Sequence, residues 1–318
     1  MIGKELKLIC GNANRPLAEE ISYALGVDLC ATEVDRFSDG EIQVLIKETV
    51  RGADVFVIQP TCPPVNEHLM ELLIIIDALR RASVRKVIAV IPYYGYARQD
   101  RKHIGRVPIT ARLVANMLET AGVDRVLTID LHAGQIQGFF NIPVDNLQAD
   151  PIFAKHLQET FADSEETVIV SPDVGGTARA RLLAERVNRP LAVLEKRRSM
   201  NTTEVKVMNV IGEVDGKRAI IVDDIIASGA TLIQATQTLV DHGATEVFAY
   251  CTHGVFSGDA LAALSDSALK KVVTTNTICH EQAEGNEIID YIPVGEHLAK
   301  TIRRIFEDKS VSHLFSHC

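Results

Sequence analysis

Short apolar runs recur along the chain between longer stretches with helical spacing. The runs Asp54–Ile58, Lys86–Ile91, Arg125–Ile129, Thr167–Val170, Arg218–Val222 and Glu246–Tyr250 are rich in β-branched residues and almost continuously apolar. A strand with one wet face alternates apolar and polar residues, whereas continuous runs of this kind are buried on both faces of a parallel sheet. Between them, Leu69, Leu72, Leu73, Ile76 and Leu79 share one side of a helix predicted from about Asn66 to Ala82. A second helix is predicted after Pro108, with Leu113, Met117 and Leu118 on its apolar side. Strand and helix in alternation predict an α/β protein with mainly parallel sheets flanked by helices.

The pattern also repeats. Val50-Arg-Gly-Ala-Asp54 leads into a strand, a long helix and the strand before Pro92; Val214-Asp-Gly-Lys-Arg218 leads into a strand, a helix from about Thr231 to His242 and the strand before His253. This points to a duplicated α/β unit with a boundary near Leu147–Pro151. A chain of 318 residues also exceeds what one core usually supports, so domains at 1–148 and 149–318 are expected.

Charge and composition narrow the partners. A formal net charge of −9 repels nucleic acid and anionic membranes, so a basic cluster here is a local device for a small anion. Cys10, Cys30, Cys62, Cys251, Cys279 and Cys318 show neither a CxxC pair nor a zinc spacing, which favours reduced thiols in a cytoplasmic protein. Met1–Cys10 carries Lys4, Glu5 and Lys7 and lacks the apolar centre of a signal peptide. The longest aliphatic block, Leu72–Ile76, is far short of the roughly 20 residues that span a bilayer, so no membrane association is expected.

Candidate chemistry concentrates in Ile220-Ile-Val-Asp-Asp-Ile-Ile-Ala-Ser-Gly-Ala-Thr231, an apolar strand running into two carboxylates and a loop of small residues that opens a helix. Backbone N–H groups of such a loop, with the Ser228 and Thr231 hydroxyls, can cradle a phosphate at the positive end of a helix. Asp223 and Asp224 suit the cis hydroxyls of a ribose; the plainer alternative is a strand end with acidic capping residues. Arg98, Gln99, Arg101 and Lys102 suit adenine edges and polyphosphate oxygens, or form a solvated charged loop. Lys196, Arg197 and Arg198 follow a strand, and three adjacent cations repel one another unless an anion is near, as in a mobile loop that closes over triphosphate.

The loop from Asp223 to Thr231 resembles the ribose-phosphate loop of the phosphoribosyltransferase superfamily. Asn12-Ala-Asn14, Arg36-Phe-Ser-Asp-Gly-Glu41, Tyr96-Ala-Arg-Gln-Asp-Arg101, Val107-Pro-Ile-Thr110 and Asp130-Leu-His132 are similar to motifs of ribose-phosphate diphosphokinases of the common bacterial and animal class. So are Gln135-Ile-Gln-Gly-Phe-Phe140, Ile142-Pro-Val-Asp-Asn146, Ser171-Pro-Asp-Val-Gly-Gly176 and Lys196-Arg-Arg198, and together the motifs span nearly the whole chain.

The resemblance implies two tandem phosphoribosyltransferase-like domains, the first carrying ATP and oligomer contacts and the second the ribose 5-phosphate loop, with the last helix a candidate to pack on the first domain. It implies transfer of the diphosphoryl group of MgATP to the C1 hydroxyl of ribose 5-phosphate. Catalysis would fall to Lys196 and Arg198, and ATP binding to Asp39, Gly40, Glu41, Arg98, Gln99 and Arg101. Ribose 5-phosphate would be held by Arg198, Asp223, Asp224, Ala227, Ser228, Gly229, Ala230 and Thr231. His132 and Asp173, with Asp130 a third candidate, would hold Mg²⁺. A homo-oligomer, a hexamer built of dimers, with regulation by phosphate and ADP is also implied. The alternatives are a phosphoribosyltransferase and a non-catalytic regulatory homologue. Two departures from the family stand out: Ala227 and Ala230 replace an Asp and a Gly common in the loop, and Asn141 replaces a common Asp.

Overall fold

The computed structural model describes residues 4–161, 166–198, 206–280 and 285–312, at 196–198 and 206–208 through the backbone alone. The chain divides into two compact units, Met1–Gln148 with Asn276–Cys279 and Pro293–Cys318, and Ala149–Thr275 with His280–Ile292. The second unit is therefore not the continuous segment 149–318 expected above, because the end of the chain belongs to the first.

The first unit runs β1 (Leu6–Cys10), α1 (Arg15–Leu25), β2 (Thr32–Arg36), β3 (Ile42–Ile46), β4 (Asp54–Ile58), α2 (Val65–Arg81), β5 (Lys86–Ile91), α3 (Thr110–Ala121), β6 (Arg125–Ile129), a short 3-10 helix and β7 (Val144–Leu147). Strands β1, β4, β5, β6 and β7 lie in that spatial order, every neighbouring pair parallel. All of β4 is buried, as its unbroken apolar run requires. β2 and β3 form a separate antiparallel hairpin.

Local chemistry sets the helix ends. Asn14 Oδ1 accepts the Leu17 N–H at 3.1 Å, Pro16 sits in the first turn, and Gly26 closes α1 in the left-handed region at φ 66°. In α2, Glu67 in the first turn and Arg80 and Arg81 in the last interact favourably with the helix dipole.

Two predicted faces are displaced. In α3, Leu113 is 54% exposed and the buried stripe is Ala111, Val114, Ala115 and Leu118. The inward positions are thus filled by the two alanines with Val114 and Leu118, and the bulkier Leu113 faces outward. In α2, Ile75 and Glu71 are buried while Leu73 is only half-buried.

Glu71 has a reason to be inside. Its Oε1 accepts the Asn12 N–H at 2.6 Å and Gln59 Nε2–H at 2.7 Å, and its Oε2 accepts Asn12 Nδ2–H at 3.0 Å. Asn12 Nδ2 also donates to the Val34 carbonyl in β2 at 3.0 Å, and Gln59 Oε1 accepts the Ala13 N–H at 3.1 Å. One carboxylate thus fastens the end of β1, the end of β4, the hairpin and α2. A Cβ at Gly11 would lie 2.4 Å from Gln59 Oε1 and 2.5 Å from Glu71 Oε1, so the network leaves room only for glycine there.

The second unit runs α4 (Asp150–Thr160), β8 (Thr167–Ser171), α5 (Thr177–Arg186), β9 (Leu191–Arg198), β10 (Lys206–Ile211), β11 (Arg218–Ile226), α6 (Ala230–Asp241), β12 (Glu246–Gly254), α7 (Ala260–Ser265), β13 (Lys271–Thr275) and β14 (Ile289–Ile292). Its seven strands lie in the order β10-β9-β8-β11-β12-β13-β14, parallel except for β10 against β9. Val170, Ala192, Ala219, Ile221 and Val247 pack with Leu232, Ala235 and Leu239 of α6.

Helix α8 (Gly295–Phe306) packs on α1 within the first unit. Glu20 anchors it, accepting the Gly295 N–H at 2.8 Å and Asn276 Nδ2–H at 2.7 Å, while Asn276 Oδ1 accepts the Val294 N–H at 2.9 Å. Among the described residues no helix is long and apolar enough to cross a membrane.

Removing the Glu71 carboxylate strands three donors, two on Asn12 and one on Gln59, so Glu71→Ala should lower unfolding stability by about 2–4 kcal/mol. Urea denaturation measures this directly, and a loss below about 1 kcal/mol would show that the network is dispensable.

Candidate active site

In the first unit the candidate residues occupy carboxyl-end loops and one hairpin tip. The chain leaves β5 through Tyr93 and Tyr94 and passes Gly95, whose N–H donates to Thr61 Oγ1 at 2.7 Å and whose Cβ, were it present, would meet the Thr61 carbonyl at 2.4 Å. Tyr96 then turns in the left-handed region at φ 64°, closed by the Gln99 N–H to the Tyr96 carbonyl at 2.9 Å. This presents Arg98, Gln99 and Arg101 to solvent. After β6, Asp130 adopts φ 41° and His132 is exposed. Gln135 Nε2 donates to Asp100 Oδ2 at 2.8 Å and ties the two loops together.

Asp39, Gly40 and Glu41 stand apart from them at the tip of the hairpin, all exposed. Gly40 needs its φ of 94°, Asp39 Oδ1 accepts the Glu41 N–H at 3.1 Å, and an Arg36–Glu67 ion pair holds the base of the tip to α2. Asn141 belongs to a different arrangement. Its N–H and Nδ2–H donate to the two oxygens of Glu119 at 2.6 and 2.8 Å.

In the second unit a stagger in the sheet makes the opening. β11 pairs with β8 only as far as Ile221 against Val170, but with β12 as far as Ile226 against Gly254. Asp223 and Asp224 therefore lie within the long strand β11, not at its last residue, yet beyond the end of β8. The space over β8 is bordered by the turn at Asp173, whose exposed carboxylate accepts the Gly176 N–H through Oδ1 at 2.8 Å. From α5, Arg179 Nη1 reaches Asp224 Oδ1 at 3.0 Å and Asp223 Oδ1 at 3.4 Å. Asp223 Oδ1 also accepts the Asp224 N–H at 2.9 Å. Burial first, and the adjoining Asp224 charge second, raise Asp223 from 3.8 to about 7, with Arg179 pulling the other way.

Beyond β11, Gly229 takes φ 75° and caps α6 without any side-chain hydrogen bond to the first turn. A Cβ on Gly229 would also crowd Leu264 at 3.2 Å. Ala230 is the first residue of α6 and is exposed, as are Ser228 and Thr231. The left-handed position in the loop is thus Gly229, and the alanine that replaces the family's glycine meets no steric demand.

β9 extends through Arg198, with Lys196 opposite Met208 and Arg198 opposite Lys206. The cations expected after a strand are its final residues. Their side chains, and the expected loop at 199–205, lie outside the described residues.

Residues 6–122 match the model of the N-terminal domain of ribose phosphate pyrophosphokinase, and residues 196–316 match the phosphoribosyl synthetase-associated domain. A ribose-phosphate pyrophosphokinase of Clostridium perfringens is 51% identical, with 98% of each chain covered. The chain belongs to the ribose-phosphate pyrophosphokinase family. A family member from Caldanaerobacter subterraneus is 54% identical, again with 98% of each chain covered. The crystal structure of the phosphoribosylpyrophosphate synthetase of Mycobacterium smegmatis superposes with a TM-score of 0.89 at 41% identity, covering 96% of this chain and all of that one.

Arg179 is the site residue that the sequence reasoning missed. A signal was available: a cation in the first turn of a helix opposes the helix dipole, so it needs an anion close by. The two carboxylates at the end of a strand were the available partners.

Because folding raises the Asp223 pKa, ionising that carboxylate costs the native state stability, and the loss accumulates as pH rises from about 4 to about 7. Asp223→Asn removes the cost. The variant's melting temperature should therefore exceed the wild type's by a larger margin at pH 8 than at pH 5.5; a margin independent of pH would contradict the raised pKa.

Proposed function

We propose that this chain transfers the diphosphoryl group of ATP to the C1 hydroxyl of ribose 5-phosphate, giving 5-phosphoribosyl 1-diphosphate and AMP. The observation that carries the proposal is the second unit's combination of a paired carboxylate with an uncapped helix start. Asp223 and Asp224 can accept the ribose 2- and 3-hydroxyl hydrogens, while the N–H groups at the start of α6 and the Ser228 and Thr231 hydroxyls take the 5-phosphate. The full-length similarity to named pyrophosphokinases supports the same assignment.

On the nucleotide side, Arg98, Gln99 and Arg101 would bind the base and phosphates, joined by Asp39, Gly40 and Glu41. Lys196 and Arg198 would stabilise charge developing on the transferred and leaving oxygens, with Arg198 also reaching ribose 5-phosphate. The C1 hydroxyl then attacks the β-phosphorus in line and AMP departs, so positioning and charge neutralisation supply most of the acceleration.

The donor chemistry suits magnesium: Asp173 offers a carboxylate oxygen on a braced turn, and His132 is exposed beside Asp130. Among the described residues no three His, Cys, Asp or Glu side chains converge as a metal cage; an ion held by one or two protein ligands and substrate phosphates does not require one. His132 and Asp173, with Asp130 as a third candidate, would hold such an ion, which when bound offsets the charge of the triphosphate. A homo-oligomer, as a hexamer built of dimers and responding to phosphate and ADP, and a cytoplasmic location complete the proposal.

Incubating the protein with ATP, ribose 5-phosphate and Mg²⁺ should yield AMP and 5-phosphoribosyl 1-diphosphate in equal amounts. ADP as the nucleotide product, or no turnover, would overturn the assignment. Lys196→Ala should lower turnover by about a hundredfold or more, with calorimetric binding of ribose 5-phosphate retained. Near-normal turnover would remove Lys196 from the mechanism.

A further inference from the structure

We infer that Arg179 is a positioning residue of the sugar site: it holds Asp223 and Asp224 together as a fixed pair and ties them to the braced segment that carries Asp173. The inference rests on Asp223 and Asp224 being the ribose ligands.

Geometry leads to this assignment. Neighbouring side chains in a strand normally point to opposite faces, and two adjacent carboxylates repel. Here one nitrogen of a guanidinium from another element lies 3.0 Å from Asp224 Oδ1 and 3.4 Å from Asp223 Oδ1. Asp224 is buried, and a buried carboxylate without a cation is favoured in its protonated form, in which one oxygen becomes a donor. A cis-diol needs acceptors on both residues. Arg179 supplies a positive charge that offsets their mutual repulsion and favours the acceptor form of both.

The position of Arg179 carries the second half. It stands in the first turn of α5, where its charge opposes the helix dipole, so its placement is explained by its partners rather than by the helix. The turn just before α5 is rigidly braced: Ser171 Oγ donates to the Asp173 carbonyl at 2.7 Å, Gly176 N–H to Asp173 Oδ1 at 2.8 Å, and Thr177 Oγ1 to the Val174 carbonyl at 2.9 Å. The turn and Arg179 thus belong to one continuous segment that leads from Asp173 to the two carboxylates. Salt links of this kind between elements confer register more than net stability.

The test separates sugar binding from nucleotide binding. Arg179→Met should raise the calorimetric Kd for ribose 5-phosphate by about tenfold or more, while KM for ATP changes by less than about threefold. In an Asp224→Asn background the same replacement should cost less than about threefold, because the partner is already gone. Arg179→Lys keeps the charge but not the planar fork, and should recover only part of the affinity. Circular dichroism and melting temperature report folding. If the Met variant does not fold, Arg179→Gln decides: a Kd equal to wild type overturns the role, and a raised Kd with unchanged melting supports it. Equal losses for both substrates, or additive effects with Asp224→Asn, would also overturn it. If the wild type itself does not bind ribose 5-phosphate, it is the ribose assignment of the carboxylates that fails, and the two failures are thereby told apart.

Discussion

Burial of parallel strands on both faces is the constraint from which the rest of the structure follows. A strand such as β4, buried along its whole length, has no wet face on which to carry a reactive group. Polar chemistry is displaced to the ends of the strands, and in an open α/β sheet the carboxyl ends are where the chain turns away and exposes its loops. The Arg98–Arg101 and Asp130–His132 segments sit there because β5 and β6 end side by side in the first unit. In the second unit the same constraint acts through a stagger. β8 ends before β11 does, and the last turns of the longer strand become the floor of an opening without leaving the sheet.

Polar groups that remain inside must be compensated, and the two units do this differently. Glu71 is saturated by three N–H donors with no cation among them, which makes it a structural fastener. Asp224 is compensated by a guanidinium instead. Neutral amide donors fill a carboxylate in place, whereas a cation on a neighbouring helix offsets its charge and sets its position relative to that helix.

The strand runs and the α2 and α3 helices were legible because periodicity reports directly on burial. Three kinds of feature were not. β1 and β2 carry mixed burial, and β3 alternates half-buried with exposed positions but puts the apolar Leu45 among the exposed ones, so residue type does not report their burial. The displaced faces of α2 and α3 depend on Ala111, Ala115 and Glu71, residues whose burial follows from what packs against them and not from their own hydrophobicity. The discontinuous first unit depends on Glu20 meeting Asn276 and Gly295, contacts between residues more than half the chain apart. At the site, single-segment motifs were visible, whereas Arg179 acquires its role only when α5 is laid against β11. Sequence spacing within one segment cannot express that approach.

The departures from the family's usual motifs become intelligible on the same grounds. In the loop after β11 the positive φ falls on Gly229, which is also the residue that Leu264 crowds, so glycine is required there twice over. Ala230 begins a helix, a position where alanine is a better choice than glycine by about 1 kcal/mol. Loss of the usual acidic residue at Ala227 leaves one negative charge fewer near the start of α6. Asn141 is explained by Glu119: the amide donates to one carboxylate oxygen while the backbone N–H donates to the other. An aspartate at 141 would retain the backbone bond but replace the side-chain donor by a second carboxylate that repels the first. The Asn is thus matched to its own neighbour on α3, and its presence bears on how the loop after β6 is held rather than on the chemistry of the second unit.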